Sequence, residues 1–311
     1  MLKYIGRRLL EMIPTTVGIV ILSFLLFNVI GGSPAEVVLG KNATPTAIAE
    51  FNHKWGYDRP LVFSADSQFV HFVGGLTKGD FGYSLEYQEP VIEVLKRGVG
   101  PSLSLTVPIL FGSVILGLML ATLSAAMRGR LVDKTILAVS AVLMSVNYVV
   151  WVLAGQFFLS FKAEVFPVWG YESAFYLVLP VIIGVLSSLG ADVRFFRTVI
   201  LDEVYKPYVL AVRSKGISSG TIMTRHVLRN ALIPIVTYVS LSIPYLFTGS
   251  LLLESFFGIP GLGSLSINAI HSADMAVVRT VVVLGALLYQ FVNLITDVLY
   301  AALDPRVRME R

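Results

Sequence analysis

Four histidines, His53, His71, His226 and His271, are the only imidazoles in this chain of 311 residues, and no two stand four apart. A zinc site on one helix face needs such a pair, as in HExxH. The histidines therefore do not spell a metal centre. The chain has no cysteine, which excludes disulfides, thiolate metal sites and cysteine nucleophiles. No GxxxxGK[ST] occurs, so the chain has no P-loop of its own for a nucleotide. Ser187 and Ser188 lie in an apolar run, but no run supplies a histidine to activate them. What remains is a set of polar side chains inside long apolar stretches: Asn147, Gln156, Asp192, Gln290, Asn293 and Asp297. Such groups are costly in hydrocarbon. They face a water path or the bundle interior, or they hydrogen-bond a neighbouring helix. Asn293 and Asp297 are four apart and share a helix face. Their place near Arg306 favours a structural ion pair over a path lining.

The elements that hold these residues follow from composition. The chain is 55% hydrophobic and 14% charged, against about 25% charged in a soluble domain. Lipid is the natural solvent for the excess apolar surface. Six stretches approach the roughly 20 apolar residues that cross a bilayer. They lie near Leu9–Ile30, Leu103–Ala126, Thr135–Phe161, Phe175–Asp192, Ala231–Leu253 and Val277–Leu303. The fourth is the shortest. The first is too long for a signal-peptide core, and Gly31-Gly32-Ser33-Pro34 is a poor cleavage site. The expectation is one all-α polytopic membrane domain over residues 1–311, with about six transmembrane helices.

Orientation follows the basic residues. With the N-terminus inside, the short inner segments carry sixteen Lys and Arg, and the short outer segments carry two, Lys162 and Arg279. Both termini are then cytoplasmic. The net charge of +4 reads as this membrane bias and not as nucleic-acid binding, because the charges flank apolar runs.

Two loops are longer than a helix bundle needs. The outer one, from Gly31 to Pro101, holds a capped helix start at Thr44-Pro45 and an amphipathic stretch at Pro90–Arg97. The inner one, from Arg194 to Asn230, predicts a helix from Pro207, a stop at Gly216 and a second helix capped by Ser218 or Ser219. Val209, Val212, Ile217 and Ile222 are apolar residues in a cytoplasmic loop, and they predict a covering partner. Tyr208, Arg213, Lys215, Arg225, His226 and Arg229 complete the candidate docking surface. A loop resting on lipid headgroups is the plain alternative. On the outer side, Glu254 to Ser272 reads as too polar for a span. Glu254, Phe256, Phe257, Pro260, Gly261, Leu262 and Gly263 are expected to fold back as a non-helical outer gate, tolerated at that depth only under cover.

Gly216, then Arg229-Asn230-Ala231 and Pro234, resembles the EAA loop of ABC-importer permeases. Tyr208–Gly216 followed by His226–Pro234 is similar to the B-type subunit of the dipeptide, oligopeptide and nickel permease family. Arg7-Arg8-Leu9 with Ile13-Pro14-Thr15, then Gly79–Ser84, Pro260–Gly263, and Asn293, Asp297, Tyr300 and Asp304-Pro305-Arg306 resemble further motifs of that family in order. Departures are Leu210 where the loop's glutamate is frequent, Val212 for an alanine, Gly31–Pro34 for Pro-Gly-Asp-Pro, and Asn147 where a proline follows the serine matched by Ser145.

The resemblance implies a type I ABC-importer permease fold and a non-catalytic transport subunit of a bacterial or archaeal inner membrane, surrounded by membrane lipid. It implies a second, homologous C-type permease chain, two cytoplasmic P-loop ATPase subunits that bind ATP and Mg, and an extracytoplasmic solute-binding protein. Peptides lead the solutes of the family, with nickel chelates, glutathione and sugars beside them. A non-transporting receptor or assembly scaffold is the alternative.

Overall fold

The computed structural model describes residues 2–40, 43–243 and 250–303. Among them the secondary structure is helical apart from one isolated antiparallel bridge, Tyr83 to Pro90. Four helices are long and apolar enough to cross a membrane, Gly6–Ile30, Val91–Ala126, Phe175–Val204 and Met275–Val298, and one bent pair brings the number to five. The predicted span at 231–253 includes residues 244–249, which lie outside the described residues.

The chain forms two compact units. The first holds the residues up to Ser102, the segment ending at Ser255, and Pro260–Leu294. It begins with α1 (Leu2–Phe24), extended by a π-helical turn, Leu25–Ile30. The outer loop folds into α2 (Ala35–Leu39), α3 (Pro45–Trp55) and α4 (Gln68–Lys78). Thr44 caps α3 as expected, its hydroxyl accepting from the Ala47 N–H at 3.3 Å. Ser67 caps α4 through the Val70 N–H in the same way. Phe24, Phe72 and Val283 form one buried cluster of this unit. Val91, Leu95, Leu262, Ala269 and Val277 form another.

The second unit runs from Leu103 through the inner loop and includes Phe256–Ile259 and the residues from Ile295 on. Helix α5 (Val91–Ala126) is 36 residues long, and the amphipathic stretch after Pro90 forms its first turns, leading straight into the second span. The stretch expected as the third span is built of two helices, α6 (Leu131–Ser145) and α7 (Tyr148–Gly155), continued by a π-helical turn, Gln156–Lys162. They meet at 91°. Helix α8 (Phe175–Val204) is 30 residues long and carries the fourth span well past Asp192. The inner loop then forms α9 (Pro207–Ser214), α10 (Ser219–Thr221), a π-helical turn (Ile222–Val227) and α11 (Leu228–Ser240).

The sharp bend has a local cause. Val146 is extended at φ −90°, ψ 127°, and Asn147 starts α7 by accepting the Val149 N–H on its side-chain oxygen at 2.9 Å. Loss of that cap in Asn147→Ala should cost about 1 kcal/mol. Asn147→Pro loses the same cap, but because φ is already −60° there and an extended residue precedes it, the stiffer unfolded chain should offset part of that loss. Thermal unfolding of the two purified variants checks this. A parental midpoint for Asn147→Ala would show that the cap contributes nothing.

Among the described residues three further helices follow: α12 (Leu251–Phe257), α13 (Leu262–His271) and α14 (Met275–Leu303).

Candidate functional site

The inner loop is built as its residue types require. Pro207 occupies the first turn of α9. Gly216 ends it at φ +75°, a conformation that costs a side-chain-bearing residue about 1–2 kcal/mol. A Cβ at Gly216 would meet no neighbour within 4 Å, so the demand is conformational and not steric. Ser218 caps the next helix through the Thr221 N–H at 3.4 Å.

The apolar residues of the loop are not waiting for an outside cover. Val209 and Ile222 are buried with Val227, Ala231 and Ile235, against Ala121 and Ala125 of α5 and Phe196 and Ile200 of α8. Tyr208, Val212, Ile217 and Met223 pack against the same cluster. The expectation that these side chains face a partner is therefore corrected. They anchor the loop to its own bundle. Tyr208 donates to the Glu203 carboxylate at 2.8 Å and accepts from the Asn230 amide at 3.0 Å. Exposed on the loop are Leu210, Arg213, Lys215, Gly216, Arg225 and Arg229, while His226 is half-buried. Leu210, where the family's loop often has glutamate, is 62% exposed.

The outer segment is helical, which corrects the expected non-helical fold-back. Helices α12 and α13 are joined by a short turn through Gly258, at φ +68°, to Gly261. Within the first unit, Glu254 is fully buried. Its carboxylate accepts from the Ser102 hydroxyl at 2.8 Å and from the N–H groups of Ser250 at 3.1 Å, Gly263 at 2.7 Å and Ser264 at 3.1 Å. Ser102 in turn accepts from the Leu262 N–H at 2.8 Å. Leu262, Gly263 and Ser264 are the first turn of α13, whose N–H groups have no helical partner and whose dipole favours an anion. Gly263 has to be small: a Cβ there would stand 2.8 Å from a Glu254 oxygen. Gly261, Leu262 and Gly263 are buried, and only Pro260 of that turn is exposed.

Phe256–Ile259 belong to the second unit. There the Gln156 amide donates to the Phe256 carbonyl at 2.8 Å and to the Val168 carbonyl at 2.9 Å. The Phe257 carbonyl accepts from Gly170 N–H at 2.8 Å. Phe257 and Ile259 are buried.

Asp192 and Gln290 also have structural partners. Asp192 is buried and accepts from the Tyr238 hydroxyl at 3.1 Å. Gln290 accepts from the Thr16 hydroxyl at 2.9 Å and donates to the Met12 carbonyl at 2.7 Å, joining α14 to α1. Asn293 and Asp297 are half-buried on α14. Arg306, the expected ion-pair neighbour, and the Asp304-Pro305-Arg306 motif lie outside the described residues.

One cluster escaped the sequence reading. Arg197 of α8 donates through Nε and Nη2 to the two oxygens of Asp133 at 2.9 and 3.0 Å. The Ser124 hydroxyl and the Gly129 N–H also donate to that carboxylate, at 2.5 and 2.8 Å. Asp133 is buried. It is the one carboxylate in a short turn otherwise rich in Arg and Lys, and this was the signal available in the sequence. Positive-inside bookkeeping counted Arg197 only as a topology charge.

No catalytic constellation stands out from these contacts, and among the described residues no group of three metal-ligating side chains forms. The class defined is an all-helical, multi-pass membrane protein with a helix–glycine–helix loop fastened to its bundle. The chain belongs to the binding-protein-dependent transport system inner membrane component family, which matches residues 113–309, with the family's N-terminal part matching residues 1–106. It is similar to the glutathione transport system permease proteins of Escherichia coli strain K12 and Salmonella typhimurium strain LT2, at 31% identity over 99% of each chain. The relative of the same name in Shigella flexneri serotype 5b is also 31% identical. The chain is thus a permease component of a binding-protein-dependent ABC importer in the inner membrane, a transport subunit and not an enzyme. Membership implies a solute-binding protein and an ATPase as partners, and sets aside the non-transporting scaffold.

Proposed function

We propose that the chain forms half of a translocation path for peptides or similar small solutes, pairing with a second, homologous permease chain. Two cytoplasmic P-loop ATPases bind ATP and Mg, and a solute-binding protein delivers cargo from outside. Glutathione is one candidate solute, because the similar permeases carry it in their names. Both termini are cytoplasmic, as the sixteen-to-two bias of basic residues requires. Reporter fusions at Lys162 and Arg311 should then report opposite sides. The same side for both would refute this topology.

The helix–Gly216–helix element is the docking site for the ATPase. The observation that carries this reading is its two-sidedness. One side is buried in the bundle by Val209, Ile222 and Val227. The other presents Leu210, Arg213, Lys215 and the exposed glycine turn. A force applied to the exposed side reaches α5, α8 and α11 through the packed side, so closure of the nucleotide dimer re-packs the spans. The two states differ by the contacts each makes. The outer hairpin around Glu254, with Phe256, Phe257 and Pro260–Gly263, shapes the outer gate, its turn held by the buried carboxylate. Asn293 and Asp297 contact a neighbouring helix rather than the solute.

Leu210→Asp should weaken ATPase co-purification and solute-stimulated hydrolysis about tenfold, as removal of one well-packed apolar anchor does. Gly216→Leu should uncouple hydrolysis from uptake while membrane insertion stays normal. Parental co-purification and coupling in both variants would show that the ATPase docks elsewhere.

A further inference from the structure

The outer-loop motif Gly79–Ser84 finds no use in the docking reading, yet the first unit sets it against a cavity of about 270 Å³. Asn28, Tyr57, Phe72, Gly82 and Arg279 are among its walls. Arg279 extends from α14. Its Nη1 donates to the Asn28 side-chain oxygen at 3.1 Å, and its guanidinium lies 4.8 Å from the centre of the Phe72 ring. Its Nη2 faces Gly82: a Cβ there would stand 4.0 Å away. Gly82 is at φ +88°, a position that favours glycine, so residue 82 puts no side chain against that nitrogen.

Among the described residues, Arg279 makes no ion pair. The neighbouring carboxylates are engaged elsewhere. Asp274 is fully buried and accepts from the Ser84 hydroxyl at 2.5 Å and from the Glu86 N–H at 3.2 Å. Asp66 accepts from His71 at 2.6 Å, a bond that holds its carboxyl below the usual carboxylate range, and lies 3.8 Å from Arg59. Asp80 lines the cavity and accepts from the Gly82 N–H at 3.0 Å. The lining charges are thus Arg59, Arg279 and Asp80, with His71 among them; Arg59 and His71 already face Asp66, so among the described residues Arg279 is the lining cation that no carboxylate pairs. An arginine held beside rings without a counter-charge is costly to keep, and such a residue at a membrane segment marks a functional site.

We propose that this cavity binds the free carboxylate of the transported solute, with Arg279 as the anion-binding residue. This rests on the reading of the chain as a small-solute permease and names the chemical class it takes. A guanidinium with one nitrogen committed to Asn28 keeps the rest of its planar fork for a carboxylate. The size fits one end of a small molecule: whole-ligand pockets run from roughly 300 to 1,000 Å³. An acidic side chain from the binding protein fits less well. Its carboxylate tip displaces about two waters, roughly 60 Å³ at about 30 Å³ each, and would leave most of the cavity unfilled.

The test is calorimetric titration of the assembled importer in lipid nanodiscs with trialanine and with trialanine amide. The parent should bind the acid saturably and the amide roughly 10- to 100-fold more weakly, the span expected for a lost charged hydrogen bond. Arg279→Gln should lose the same factor for trialanine, and Arg279→Lys should recover part of it, which separates charge from folding. Equal binding of acid and amide, no binding of either, or unchanged binding by Arg279→Gln would overturn the proposal. ATP-driven uptake in proteoliposomes is read separately. Its persistence beside a failed titration overturns the carboxylate site and leaves the importer reading intact, whereas its absence in the parent removes that reading first. If Arg279→Gln weakens docking of the unliganded binding protein by the same factor, the arginine holds that protein's carboxylate, and the proposal is overturned.

Discussion

Arg197→Ala is expected to lower the stability of the purified chain by about 3–5 kcal/mol, the usual cost of removing one partner of a buried ion pair. Asp133 would keep only the Ser124 hydroxyl and the Gly129 N–H as donors, while its charge stays buried. Asp133→Ala should lose a similar amount by stranding the guanidinium. The double variant Asp133→Leu/Arg197→Met should recover most of the loss, because an apolar pair of similar volume removes both desolvation costs together. Thermal unfolding in detergent reads the three variants. Limited trypsin digestion reads the local effect, since the turn between α5 and α6 carries Arg128 and Arg130 and is held by this pair. A parental midpoint for Arg197→Ala, or a double variant worse than either single one, would show that the pair is not what fastens that turn.

Glu254→Ala is expected to have the next largest effect, about 3 kcal/mol or more, with the loss concentrated in α13. Four donors point at this fully buried carboxylate. Hydrogen bonds to a charged group contribute about 1.5–3 kcal/mol each, and an unsatisfied buried donor costs about 1–3 kcal/mol. These terms do not add in full, because the turn can relax toward water. Glu254→Gln should fall between, since an amide keeps one accepting oxygen and turns an N–H pair toward backbone donors. Hydrogen exchange in the segment from Leu262 to His271 gives the readout. Faster exchange there than in α14 supports the cap. Exchange in Glu254→Ala that matches the parent would mean that the carboxylate does not hold the hairpin.

Much of the architecture was legible before any coordinates. Apolar runs of spanning length announced the helices around 9–30, 103–126 and 277–303, because a backbone in lipid must satisfy its own hydrogen bonds. Thr44-Pro45, Pro207, Gly216 and Ser218 marked helix ends, because caps and positive φ are local demands. The family was legible too, since its motifs recur in order along the chain. Three features were not foreseen, for a common reason. The third span bends by 91° at Asn147, the segment after Glu254 is helical, and the apolar loop residues are covered from within. In each case a side chain or a distant helix supplies what composition counted as missing.

Residue order alone settled the solvent, the helical class, the positive-inside bias and the family, because each depends on content or short spacing. Tertiary structure alone decided which polar groups meet. Asp133 and Arg197 are 64 positions apart, Ser102 and Glu254 are 152 apart, and Asn28 and Arg279 are 251 apart. No local rule relates such pairs. They form because burying a charge without a partner costs several kcal/mol, and the fold that avoids the cost is a property of the whole chain.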